Sequence, residues 1–210
     1  MPKAVRTRLR PMDSADRLTR RAYWLAAARD ALIREGVDKL KVDRLARSLD
    51  VTRGGFYWHF KNREDLLASL LSDWERTNTR PLLEAAASVA DGDGAGKFVA
   101  VSLVWIEEKT FSPAYDAAVR DWARTSEAVA NAVRRVDNRR IKLLQSIFSQ
   151  IGFTAAEARS RAEIMYFHQV GYYAMGVRQS RAARLRNVPL YFHALTGRAL
   201  PAKARGLLAR

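Results

Sequence analysis

The chain has 210 residues, 48% of them hydrophobic, enough to bury a substantial core in one or two domains. It has no cysteine, which excludes disulfides, thiolate metal sites and a cysteine nucleophile, and its three histidines, His59, His168 and His193, stand in no metal-binding spacing. The formal charge of +15 is uneven: 16 Lys or Arg against 9 Asp or Glu over residues 1–65, 13 against 13 over 66–163, and 8 against none over 164–210.

In chain order, residues 1–15, with Arg6, Arg8, Arg10 and Pro11, read as a mobile basic arm. A first helix is predicted from about Thr19 to Glu35. Its apolar stripe is Trp24, Leu25, Ala28, Ala31 and Leu32, and Gly36 suits a left-handed stop. Two short helices follow, Val42–Leu49 and Arg53–His59. Leu45, Ala46, Leu49, Val51, Phe56 and Phe60 recur at the spacing of one buried face. Arg53, Gly54, Gly55, Tyr57, Trp58 and His59 are left facing outward, a mixture of cation, bare backbone and amphipathic aromatics that solubility alone does not call for.

A fourth helix is expected from Arg63 into the Asn78 region, capped by Asn62, with Glu64 and Asp65 favoured by the helix dipole in its first turn. Pro81 should kink or restart the chain, because Arg80 before it is pushed from helical angles. The stretch from Asp91 to Gly96, DGDGAG, is the clearest loop. Helices are then predicted near 97–109, 113–124, 126–151, 155–178 and 186–197, with Ser112-Pro113 and Thr154 as starts and Gly152 as a stop. No segment alternates convincingly as a strand, and no internal repeat is visible. Apolar runs such as Val99–Val101 and Leu103–Ile106 are far too short for a bilayer, and no apolar signal segment follows the basic N-terminus. A cytoplasmic location without membrane insertion is therefore expected.

The segment from Val51 to Phe60, VTRGGFYWHF, resembles the helix-turn-helix of the TetR family of bacterial transcription regulators, whose pattern there is V-T-x-G-x-F-Y-x-H-F. The stripe from Trp24 to Leu32 and the Arg34-Glu35-Gly36 ending are similar too. Three positions depart from the pattern: Lys41 stands where a Thr or Ser cap is usual, Asp50 where glycine is common, and Arg63 where lysine is usual. The resemblance implies an all-α fold. An N-terminal three-helix helix-turn-helix DNA-binding domain (16–65) would be joined through a fourth helix to a larger helical domain (66–210) for effector binding and dimerisation. It implies a double-stranded DNA operator as partner, a homodimer, a small-molecule effector and no cofactor.

Within that reading the positive N-terminal field fits a polyanion whose binding releases counterions. Arg53 has the forked geometry that pairs with guanine, Thr52 is expected to cap helix 3 or reach a phosphate, and Gly54 and Gly55 permit close backbone approach. Tyr57, Trp58 and His59 are placed by the resemblance against phosphates and groove walls, with Tyr57 and Trp58 alternatively packing on helix 1. Lys41, Lys61 and Arg63 add charge. The basic C-terminal segment has no motif beside it; it reads as a solvated face or as a second contact to an acidic surface.

Aromatic residues crowd the region 98–175, and an internal pocket for an apolar or aromatic molecule is expected from Trp105, Phe111, Trp122, Tyr166, His168, Gln169 and Tyr172. A reading helix this short requires two copies on one DNA face. The dimer surface is expected on the last long helices, at Ala162, Met165, Gly171, Tyr173 and Met175, and the resemblance implies a two-fold four-helix bundle there. An enzyme is not expected, since the adjacent Glu107 and Glu108 diverge on a helix. The competing class is an architectural DNA-binding or membrane-surface protein without ligand response.

Overall fold

The computed structural model describes residues 14–209, with side chains from Arg20 onward. The basic arm expected over 1–15 lies outside the described residues except for Ser14 and Ala15, which open the first helix. Among the described residues every regular element is helical: α1 (Ser14–Glu35), α2 (Val42–Ser48), α3 (Arg53–Phe56), α4 (Arg63–Ala87), α5 (Gly94–Glu107), α6 (Pro113–Trp122), α7 (Glu127–Ile151), α8 (Ala155–Ala174), α9 (Arg181–Thr196) and α10 (Ala202–Arg205), with 3₁₀ turns at Val37–Lys39 and Gly206–Ala209. They form two compact units whose boundary in sequence falls between Leu70 and Leu71, inside α4. No described helix is long and apolar enough to cross a membrane.

In the N-terminal unit, Trp24, Ala28 and Leu32 of α1 meet Leu40, Leu45, Ala46, Phe56, Phe60, Leu66 and Leu70 in one buried core. Phe56 is its hub. Its ring stands edge-on to Trp24, with centroids 5.4 Å apart, and stacks on Phe60 at 5.3 Å. Arg21 closes the flank by lying 4.6 Å from the Phe60 ring while donating to Ser69 Oγ at 2.8 Å. Gly36 ends α1 with φ +81°, the left-handed stop its sequence predicts.

The C-terminal unit is built around α5, which packs on α7, α9 and α10 and buries Phe98, Val99, Val101 and Trp105. Its start rests directly on the end of α7. A Cβ placed on Gly94 would lie 2.7 Å from the Ile147 carbonyl oxygen, so only glycine permits this approach. Asp93 caps α5 by accepting from the Gly96 amide, so Gly94–Gly96 form the first helical turn rather than the loop expected there. Ser112 caps α6, Thr154 and Glu157 form a reciprocal capping box on α8, and Gly152 ends α7 at φ +103°.

Two boundaries differ instructively. α4 runs through Pro81 without stopping, although proline withholds an amide and crowds the preceding turn. The turn before it is supported from α7: Arg140 donates through Nη2 to the Asn78 carbonyl and through Nε to Thr79 Oγ1, both at 3.2 Å. α9 likewise starts earlier than expected, at Arg181, where Ser180 accepts from the Ala183 amide, and carries Pro189 inside it.

Candidate functional site

The turn between α2 and α3 follows directly from its residues. Leu49 closes α2 by donating its amide to the Leu45 carbonyl, Asp50 takes the left-handed conformation at φ +52°, and Val51 donates back to the Ala46 carbonyl at 3.0 Å. A short aspartate tolerates that conformation better than most side chains. Val51 itself is 46% exposed, not buried as its spacing suggested. Lys41 precedes α2 without a side-chain cap. Thr52 precedes α3 in an extended conformation, and its hydroxyl makes no cap bond either, contrary to expectation.

α3 is shorter than predicted and ends at Phe56. Two of its four residues are glycines, each less favourable than alanine by about 1 kcal/mol in a helix. Residues 57–59 continue as a turn. It is held by bonds from the His59 and Phe60 amides to the Phe56 carbonyl, at 2.9 and 3.0 Å. Burial of Phe56 and Phe60 thereby fixes which side of the segment faces out.

That outer side gathers Arg53, Gly54, Tyr57 and Trp58. Arg53 is exposed and lightly held: Nη2 donates to the Tyr57 hydroxyl at 3.3 Å, and Nε lies 3.5 Å from an Asp43 carboxylate oxygen. The bond to Tyr57 and the Asp43 charge hold the guanidinium all the more firmly in its charged form. The Tyr57 ring stands edge-on to Phe56 at 5.3 Å with half its surface in solvent, and Trp58 is 76% exposed. Neither indole nor phenol is consumed by the core. A Cβ on Gly55 would meet nothing within 4 Å and one on Gly54 only Thr52 Oγ1 at 3.8 Å, so nothing inside the unit demands either glycine. His59 is half-buried at the end of the turn.

The start of α4 completes this surface. Asn62 Oδ1 accepts from the Asp65 amide at 2.9 Å, and Asp65 accepts from the Lys61 amide at 3.0 Å, leaving the Lys61 side chain exposed. Arg63, in contrast, turns inward. Its Nε and Nη2 donate to the carbonyls of Leu40 and Val37 at 2.7 and 2.9 Å, so it ties the 3₁₀ turn to α4 instead of standing free on the outer face.

In the C-terminal unit a cavity of about 200 Å³ lies between α5, α8 and α9. Trp105, His168, Gln169 and Tyr172 line it as expected from the sequence. Phe111 and Tyr166 do not; with Trp105 and Gln169 they line a second cavity of about 360 Å³, which has more charged side chains on its wall. Trp122, on α6, lines neither, its burial serving the packing of its own helix. The second cavity borders a buried charge network that the sequence reading missed. Asp116 accepts from Trp74 Nε1, Arg140 and Arg120 at 3.0, 2.9 and 2.8 Å; Arg120 also grips Asp137 with two bonds, and the Tyr166 hydroxyl donates to Asp137 at 2.6 Å. Burial pushes the Tyr166 phenol well up, so it stays protonated and can donate. Charged residues at i, i+4 (Asp116, Arg120) and i, i+3 (Asp137, Arg140) on otherwise apolar faces were the available signal.

Residues 25–70 match the family described as "Bacterial regulatory proteins, tetR family". That match lies wholly within the N-terminal unit. Over 76 residues the chain is 34% identical to the HTH-type transcriptional regulator TtgR of Pseudomonas putida, and equally to the probable HTH-type transcriptional regulator ArpR of the same species; each alignment covers 36% of both proteins. The chain thus spans about a third of the length of these curated relatives. Its fold is similar to that of reduced E. coli NemR, with a TM-score of 0.66 and 18% identity over 87% of this chain and 99% of that one. It is also similar to a TetR transcriptional regulator from Legionella pneumophila, with a TM-score of 0.61 and 13% identity over 96% and 98%.

On α8 and α9 the exposed apolar surface differs from the residues expected at a dimer. Ala162 and Met165 are buried in their own subunit, and Tyr173 stacks on Phe111 and donates to the Trp105 carbonyl at 2.9 Å. Periodicity alone did not separate these inward residues from outward ones, because α8 carries apolar residues on two sides, and Met175 of the expected set is exposed. The outward apolar residues are Ile164, Phe167 and Met175 on or just after α8 and Leu190 and Tyr191 on α9, at 57%, 61%, 81%, 65% and 38% exposure. Gly171 is half-buried, with open space around its Cα. The basic C-terminal segment is largely engaged: Arg181 pairs with Glu107, Arg184 with Glu108 and Lys203 with Asp93, while Arg198 donates to the Ile151 carbonyl.

Proposed function

We propose that this protein is a ligand-responsive transcriptional repressor that binds a palindromic DNA operator as a homodimer. The observation that carries the reading is the outer side of α3. Arg53, Tyr57 and Trp58 are exposed around two glycines that nothing internal requires, while Phe56 and Phe60 anchor the segment from behind. Arg53 reads a guanine edge after exchanging its weak partners for base acceptors. Thr52, Tyr57, Trp58, His59 and Lys61 hold phosphates and groove walls, Lys41 adds charge beside them, and Gly54 and Gly55 admit the base edges. Arg63 supports the head from inside.

One such segment reads only a few base pairs, so two copies bind successive grooves. Ile164, Phe167, Leu190 and Tyr191 supply an exposed apolar face for a second copy of this chain, supporting a two-fold interface made by α8 and α9. The α5–α8–α9 cavity holds an apolar or aromatic effector. Its binding favours a dimer state that releases DNA, which requires unequal affinity for the two states.

The test is selection of bound fragments from a genomic library by the purified protein, followed by footprinting. Protection of two symmetric half-sites is expected. Retention of fragments without any common sequence, with affinity set by salt alone, would overturn the repressor reading in favour of an architectural protein.

A further inference from the structure

The walls of the α5–α8–α9 cavity specify the chemistry of what it takes. They are mainly apolar, with Phe98, Trp105, Met165 and Val188 among them. The charged side chain that lines it, Arg184, is already committed. It donates to Glu108 at 2.6 Å and to the Trp105 carbonyl at 2.8 Å, and its guanidinium lies 4.9 Å from the Tyr172 ring. No carboxylate is among the lining residues. Burial pushes the pKa of His168 down, which keeps the imidazole neutral near pH 7. A charged ligand would leave water for a wall that offers it no counter-ion.

One polar side chain bordering this cavity, Gln169, which also borders the second one, carries an unmatched group. Gln169 Nε2 is buried and has no hydrogen-bond partner. An amide N–H donor shut away from water calls for an acceptor, and a ligand can provide one where the protein does not. Size narrows the choice further. The cavity measures about 200 Å³, against about 150 Å³ for a protein cavity that takes benzene, so it accommodates one ring or two.

We infer that the cavity binds a neutral one- or two-ring aromatic molecule whose carbonyl oxygen accepts a hydrogen bond from the Gln169 side chain. The inference rests on the effector reading of the same cavity and goes beyond it in excluding anions and cations. Aromatic walls supply affinity without regard to orientation; the amide fixes which end of the ligand points inward.

Calorimetric titration of the full-length protein with acetophenone, benzoate, 2-phenylethylammonium and ethylbenzene tests it. Acetophenone should bind at least tenfold more tightly than either ion and than ethylbenzene. Gln169→Leu should reduce acetophenone to the level of ethylbenzene, leave ethylbenzene unchanged, and melt no lower than the unsubstituted protein, since an unmatched donor has been removed. Gln169→Met, which offers no donor and nearly keeps the side-chain volume, provides a second variant with the same expected loss. Equal or tighter binding of benzoate or 2-phenylethylammonium, or a preference for acetophenone that survives both substitutions, would overturn the inference. The operator separates this outcome from the broader reading. Acetophenone binding as expected with no change in operator affinity would sink the effector role but leave the ligand class standing, whereas operator release by a charged compound alone would do the reverse.

Discussion

The Asp116 carboxylate faces the Arg140 guanidinium at 2.9 Å where both side chains are almost sealed from water. Burial alone would raise the Asp116 carboxyl, but the Arg140 and Arg120 charges outweigh it and hold the group below its ordinary value of 3.8. The contribution of such a group to stability is present above its unfolded pKa and lost as pH falls through the folded one. Asp116→Ala, which strands a buried guanidinium, should cost about 3–5 kcal/mol in urea unfolding at pH 7. Asp116→Asn should flatten the acid limb of the stability curve below about pH 4. An acid limb identical in the variant and the parent protein would show that other carboxylates carry it.

Arg53 and Lys61 both stand exposed, on the outer side of α3 and just before α4, yet they should fail differently in DNA binding. Arg53→Ala should lose roughly ten- to hundredfold affinity for the preferred operator and flatten preference at one base position. Lys61→Ala should weaken all sequences alike and reduce the slope of binding against salt. Competition titrations at two salt concentrations distinguish them. Unchanged binding in both variants would remove α3 as the reader.

The two glycines of α3 allow stability and recognition to be separated. Because a methyl group on Gly55 meets nothing and one on Gly54 only a contact at 3.8 Å, Gly54→Ala and Gly55→Ala should leave the melting temperature unchanged or raise it by the helix-propensity gain of up to about 1 kcal/mol. Operator affinity should nevertheless fall by at least tenfold. A variant that is both more stable and fully active would mean that the glycines merely ease the turn.

Phe167 and Leu190 are exposed on α8 and α9, so charge introduced there should spare the subunit fold. Phe167→Asp combined with Leu190→Arg should convert dimer to monomer in sedimentation velocity at micromolar concentration, with unchanged helicity by circular dichroism. Operator binding should drop with the dimer. A double variant that sediments like the parent would place the two-fold interface elsewhere.

The helix-turn-helix was legible because its signals are local. Phe56 and Phe60 recur one helical turn apart, Gly36 and Asn62 mark neighbouring ends, and Asp50 suits the left-handed turn. What the sequence hid depends on distant partners. Pro81 sits within a continuous helix whose preceding turn is supported by Arg140, far along the chain on α7. The inward turn of Arg63 depends on two carbonyls 23 and 26 residues away. In the cavity, Trp105, His168, Gln169 and Tyr172 were found because aromatic crowding points to the right helices. Phe111 and Tyr166 line the second cavity instead, because the same crowding supplies two neighbouring spaces that spacing along one helix cannot tell apart.

At Gly94 the beginning of α5 seats against the backbone of Ile147 and Ile151, with the Ile151 side chain alongside. A bearing made largely of main chain has little rotamer freedom to slacken gradually under heat, so its two halves must part together. Hydrogen–deuterium exchange should therefore show the amides of the first full turn of α5 and those of the final turn of α7 losing protection as one step. Gly94→Ala, by prising the pair open, should advance both to lower temperature by the same amount.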